Sequence, residues 1–244
     1  MTAAIRSEWA KTWSTRSTWF TVAAIVGLGA LFAFMFGLSP AVEPGPGPDF
    51  RPLIFVQIAV GYLGLRSFTV EHQTRTMTLT LTAVPRRGRV LAAKAVVCFG
   101  VTLALGTVTG LVVVFVGRAA LTSRGVPVTP LTDPGMLRVL AGPGLLLALL
   151  GLIGLALGCL VRSTAGALIV TIVIGVFVPA MASLYPEWLA RLILSYWPVT
   201  AGLRLLSLDG DPTLPGPWAG IAVTCAWALL LLAAAYAVFR RRDA

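Results

Sequence analysis

Trp19–Leu38 is a run of twenty residues without a charged side chain. A helix over it is ~30 Å long, about the hydrocarbon thickness of a bilayer, and in lipid a lone segment satisfies its backbone only as a helix. This run constrains the rest because it recurs. Comparable apolar stretches cover about 51–70, 90–116, 136–161, 166–184 and 217–239. Six crossings are therefore expected. Composition agrees, with 57% hydrophobic and 11% charged residues, against about 25% charged in a soluble domain. The expected fold class is an all-α polytopic membrane protein, one transmembrane domain over 1–244, with no room for a soluble domain.

The segments between the runs refine this picture. Residues 1–18, MTAAIRSEWAKTWSTRST, have a long basic lead and no small-residue cleavage site after them, so they do not read as a secretory signal. On a helix Ile5, Trp9 and Trp13 form one greasy edge, with Arg6, Lys11 and Ser14 elsewhere. That pattern predicts an N-terminal interfacial helix, a disordered basic tail being the alternative. Pro40, Pro44, Pro46 and Pro48 make the next connector extended. Between the fifth and sixth runs, Leu189, Leu192, Ile193 and Tyr196 have helical spacing, but Pro186 and Pro198 cut the stretch into pieces too short to span. An outer re-entrant segment over 185–208 is expected there.

Six spans leave both termini on one side. With that side inside, thirteen of the nineteen Lys and Arg face the cytoplasm, and six of the nine acids (Glu43, Asp49, Asp133, Glu187, Asp209, Asp211) face outward. The positive-inside rule favours this orientation. It also explains the net charge of +10 as topology, so no nucleic acid partner is expected. Arg51 and Arg66 stand near the ends of the second span, from which their stems can snorkel to the headgroups.

Several chemistries are missing from the sequence. There is no GxxxxGK[ST] phosphate loop, no HExxH and no GxSxG. Cys98, Cys159 and Cys225 lie in apolar runs without metal-ligand spacing and read as small hydrophobes. His72 stands alone beside Glu71 and reads as a solvated residue. No acid or lysine is expected deep in a span, which leaves an ion-coupled transporter without a relay. Gln57, Tyr62, Thr102, Thr171 and Tyr196 are candidate pathway-lining residues, with hydrogen bonding between helices as the competing role. The glycines at 106 and 110, and at 151, 154 and 158, allow close helix approach, expected mainly within one subunit.

The exception to all this apolarity is EHQTRTMTLTLTAVPRRGRVLAAK, Glu71–Lys94. With Arg66 it carries six positive charges between two spans and must face water, so 71–89 is expected to be a cytoplasmic coupling segment. Met77–Thr82 alternates with the period of a strand, but a lone strand would leave its edges unpaired, and a helix is expected. A small six-span chain without a nucleotide site of its own reads as a subunit powered through this segment by a partner.

Four pieces of the chain resemble a known family. They are SEWAKTWSTRSTW near the N-terminus, the central E-x4-T…TAVPRRGRVLAAKAV, the LGLIGLALGCLVRSTAGAL hairpin, and YWPVTAGLRLL. Their order and spacing over all six spans resemble the membrane subunits of type-2 ATP-binding-cassette (ABC) exporters, in particular the short actinobacterial permeases. The resemblance implies a permease of the bacterial plasma membrane, working as a dimer with a second copy or a homologous permease. It implies two separately encoded ABC ATPase subunits that bind ATP and Mg, this chain holding no cofactor and being no enzyme by itself. On the family's pattern Glu71, Thr76, Pro85, Arg86, Arg89 and Lys94 belong to a coupling helix, with Arg75 and Leu79 in the same segment. Arg75 departs from the pattern, since related sequences usually have glycine before the threonine. The loop at Arg162 would add a lesser contact. The implied cargo is amphipathic or hydrophobic, such as a drug, lipid or peptide. Two other classes stay open: a non-transporting membrane anchor or sensor, and a membrane-embedded enzyme acting on lipids.

Overall fold

A computed structural model of the chain describes residues 2–39, 48–74, 76, 87–133, 135–208 and 214–241. Among these the regular structure is helix, without a strand. Helix α1 (Thr2–Ser14) leads through Thr15 into α2 (Arg16–Leu38), followed by α3 (Leu53–Gln73), α4 (Arg87–Ser123) and α5 (Met136–Val161). After α6 (Thr164–Ala180) come two short helices, α7 (Glu187–Tyr196) and α8 (Pro198–Leu203), and the long α9 (Pro217–Arg241).

Five of these, α2, α3, α4, α5 and α9, are long and apolar enough to cross a membrane. The run expected at 166–184 differs. Its helix α6 is ~26 Å long and contains a π-turn at Val173–Phe177. Past Ala180 the chain turns at Met181 into a 3₁₀ turn, Ala182–Leu184. The third expected span, 90–116, extends at both ends into the 37 residues of α4, ~55 Å of helix. Its final turns still pack on α2, with Ala120 buried against Gly37, and just beyond them Arg124 Nη1 donates to Gly37 O at 3.0 Å and Ser39 O at 2.9 Å. That guanidinium occupies the orphan carbonyls at the end of α2.

Helix α5 is the hub, with α3, α4 and α9 packed around it. Small residues let it sit there. A Cβ on Gly64 of α3 would stand 2.0 Å from Gly151 O, and one on Gly154 2.3 Å from Gly61 O, so both backbones approach closer than any side chain permits. Against α4, the ring of Pro143 fills the space left by Gly110. Both glycine faces are thus consumed within the chain. The tight α5–α6 hairpin is made by Arg162, in the left-handed region at φ 60°, and by Ser163, whose Oγ accepts from Gly166 N at 3.3 Å.

The pieces around Pro198 form a helical hairpin against α5 and α9. Arg138 of α5 donates to Leu205 O at 2.7 Å and to Ser207 O at 2.9 Å. Thr224 Oγ1 donates to Pro198 O at 2.8 Å, and Trp227 Nε1 to Tyr196 O at 2.9 Å. The opposite end of the bundle gathers α1, the end of α3, the start of α4, the α5–α6 hairpin and the end of α9. There Arg87 Nη1 donates to Phe239 O at 2.9 Å and its guanidinium lies over the Phe239 ring, 5.8 Å from the centroid.

Candidate functional site

Three helices bring four charges together at the α1 end. Lys94 enters from α4 and is 2% exposed. Its ammonium donates to Glu8 Oε2 of α1 at 2.7 Å, to Glu71 Oε1 of α3 at 2.9 Å and to Ser67 O at 2.9 Å. An ammonium has three protons, and three acceptors receive them. Every donor of the buried side chain is thus matched. Lys11 closes the group from its rim, 2.8 Å from Glu8 Oε1 and 2.7 Å from Glu71 Oε1. Two acids and two bases balance, so the net cost of burying them is held down.

Local sequence explains how α1 takes part. Ala4, Glu8 and Thr12 recur every four residues and share one face, which turns inward; Glu8 is buried. The greasy edge expected from Ile5, Trp9 and Trp13 lies to the side. Trp13 sits between Trp9 and Trp19, with ring centroids at 5.7 and 4.9 Å, and Trp9 remains half exposed. Polar docking on one face and an aromatic edge on the next suit a helix lying at a membrane surface. Burial works against the charge of Lys11, but its hydrogen bonds to Glu71 and Glu8 outweigh that and hold its pKa above the ordinary 10.5.

Beside the cluster a cleft of about 610 Å³ opens between the α1–α2 elbow and helices α3 and α4. Glu8, Lys11, Thr18, Leu63, Arg66 and Glu71 are among its lining residues. Glu71 accepts through Oε1, while its Oε2 is enclosed without a hydrogen-bond partner.

The residues expected to couple to a partner separate into four groups. Glu71 and Lys94 face inward, bound to each other. Arg89 is exposed in the first turn of α4, and Arg162 is half-buried on the α5–α6 hairpin at the same end. Thr76 follows α3 and donates from its N–H to Glu71 O at 3.0 Å. Arg75, Leu79, Pro85 and Arg86 lie outside the described residues, as does the alternating stretch Met77–Thr82. Lys94, two turns into α4 and near the end of the expected span 90–116, is enclosed because α1 folds back over it with Glu8.

The candidate pathway residues are dispersed. Gln57 is buried and donates to Gly175 O at 3.1 Å. Thr102 back-bonds to Cys98 O at 2.6 Å, and Thr171 to Ala167 O at 2.8 Å. Tyr62 is half-buried and Tyr196 exposed. None of the five lines the cleft. The Gln57 bond joins α3 to the π-turn of α6. Glu8 was the residue that sequence reading missed. Its only signal is an acid placed i, i+3 from Lys11 on the face away from the tryptophans, and nothing local points to a partner 86 residues on. No model of a known protein family matches the chain, and no curated protein matches it.

Proposed function

We propose that the chain is the permease subunit of an ATP-driven exporter of the type-2 ABC kind. In this reading the bundle crosses the bacterial plasma membrane six times, α6 being the short fifth span, with both termini cytoplasmic. The α7–α8 hairpin forms the outer re-entrant element. Two ATPase subunits, holding ATP and Mg, dock between α3 and α4, and a second permease copy or homologue completes the pathway for an amphipathic or hydrophobic cargo.

The observation that carries the reading is the junction of α1, α3 and α4 through Lys94. The polar segment connecting α3 to α4 is flanked by helix ends that are ion-paired to each other and to α1. A push on that segment therefore moves three helices together and, through the glycine contacts of α3, the hub α5. A passive anchor has no need for such a stiff path. Closure of the ATPase pair would drive the change between inward- and outward-facing states.

The test is whether a neighbouring reading frame encodes a soluble phosphate-loop ATPase, then co-expression with that protein, affinity purification and nucleotide-dependent transport in liposomes. Charge reversal at Arg86 and Arg89 is expected to abolish ATPase co-purification while membrane insertion stays intact. Normal co-purification and transport by that variant would overturn the coupling assignment, and failure of the native chain to retain any ATPase would overturn the function.

A further inference from the structure

Pro179 interrupts the hydrogen-bond ladder of α6 at a defined place. It has no N–H, and it stands four residues after Gly175 and five after Ile174. In an α register the N–H of position 179 would serve Gly175 O, and in a π register it would serve Ile174 O. Neither carbonyl receives it. These are the two carbonyls that side chains reach from elsewhere. Gln57 Nε2 of α3 donates to Gly175 O at 3.1 Å, and Trp197 Nε1, at the tip of the α7–α8 hairpin, donates to Ile174 O at 2.7 Å.

The turn is held in the π register, with Val178 N–H bonded to Val173 O. Ile174 O is then the orphan, and Trp197 fills it. If the turn closed to α, Val178 N–H would pass to Ile174 O and the orphan would be Gly175 O, which Gln57 already holds. Each register thus has a side-chain donor for its missing N–H, and neither leaves one of these carbonyls unpaired among apolar neighbours. Only the π register, however, leaves Ile174 O open to Trp197. By linkage a docked tip favours π, and a withdrawn tip favours α.

The two halves of α6 are anchored unequally. In the first half Thr164 Oγ1 donates to Thr69 Oγ1 at 2.8 Å, and a Cβ on Gly61 would stand 2.9 Å from the Thr171 methyl. The second half, Val173–Ala180, has no buried residue and runs through Met181 into the turn before α7. Closing the π-turn adds the winding and rise of about one residue, ~100° and ~1.5 Å. That change falls on Val178–Leu184, the root of the hairpin. We propose that the second half of α6 is a two-register switch set by the hairpin tip. Docked through Trp197 it is π; when the tip withdraws it winds to α and turns the root of the hairpin. The switch needs neither an ATPase nor a second permease, so it stands apart from the exporter reading.

The experiment uses the full-length chain in lipid nanodiscs, with Cys225→Ser and spin labels at Ala165→Cys and Met181→Cys, both exposed positions. Pulsed electron-spin distance measurement reads the register. The native sequence is expected to give one short distance. Trp197→Phe should lengthen it by a few ångströms as the label at 181 turns about the helix axis. Pro179→Ala, which supplies an N–H for Gly175 O, should do the same. Gln57→Leu should keep the short distance, because it removes the donor on which the α register depends. Pro179→Ala should also displace a label at Leu192→Cys on α7 relative to Ala165→Cys, since the tip has lost its carbonyl. That pair decides the linkage should Trp197→Phe fail to fold. An unchanged distance in Trp197→Phe or in Pro179→Ala would overturn the proposal. So would an equal broadening in Trp197→Phe and Gln57→Leu, the signature of a turn that is merely loosened.

Discussion

Lys94 Nζ lies 2.7 Å from Glu8 Oε2, and this contact ties the N-terminal surface helix to the helix that begins just after the polar segment. Helix α1 covers no large part of the core, so its position rests on charge more than on apolar burial. The pair is also shielded from solvent, Lys94 being almost wholly enclosed. Such a pair is costly to break from one side, because the remaining charge stays buried.

Lys94→Met should therefore destabilise the protein by about 3–5 kcal/mol, leaving Glu8 and Glu71 in mutual repulsion with Lys11 alone between them. Adding Glu8→Gln and Glu71→Gln should recover much of the loss, since no uncompensated charge then remains. Melting of the three proteins in one detergent checks this. A native-like midpoint for Lys94→Met alone would show that the cluster does not hold α1.

The Lys11 arm of the cluster has a defined pH window. Its folded pKa is raised above 10.5, so its contribution is fully present below 10.5 and is lost as pH rises through the folded value. Docking of α1, followed by tryptophan fluorescence at Trp13, should be unchanged from neutral pH to about 10 and should loosen only above that. Loosening near neutral pH would contradict the raised value.

Two glycines separate packing from helix propensity. Gly64→Ala puts a Cβ into Gly151 O and should cost about 1–3 kcal/mol through overpacking. Gly27→Ala meets nothing within 4 Å and should stabilise α2 by up to about 1 kcal/mol. The difference between their melting points tests the α3–α5 approach directly.

The π-turn of α6 has its carbonyls received by side chains from elsewhere. Trp197 Nε1 donates to Ile174 O at 2.7 Å and Gln57 Nε2 to Gly175 O at 3.1 Å. Trp197→Phe keeps an aromatic ring but removes that donor to Ile174 O, a part-buried hydrogen bond worth about 0.5–1.5 kcal/mol. Amide hydrogen exchange over 173–178 should accelerate in Trp197→Phe and in Gln57→Leu, while exchange in α5 stays slow. Unchanged exchange in both variants would mean the π-turn is held by the helix itself.

The apolar runs by themselves determined the class of this protein and most of its architecture. Length and hydropathy decide whether a segment can cross lipid, and both are local properties, so the helices at Trp19–Leu38 and 136–161 could be read to within three residues at each end. The break at Pro198 was equally local, because proline removes its own N–H. The length of α4 was not, since its last turns are held by contacts past the apolar run. Neither was α6, whose π-turn depends on donors from Gln57 and Trp197. The charge cluster was the least legible part. Glu71 and Lys94 drew attention as members of a polar segment, and their outward role followed from charge alone. Only folding brought Glu8 across 86 positions to meet Lys94, which turned two apparent surface charges into interior ones. Periodicity reports which face a residue occupies, while the identity of its neighbour across space is set by how the helices pack.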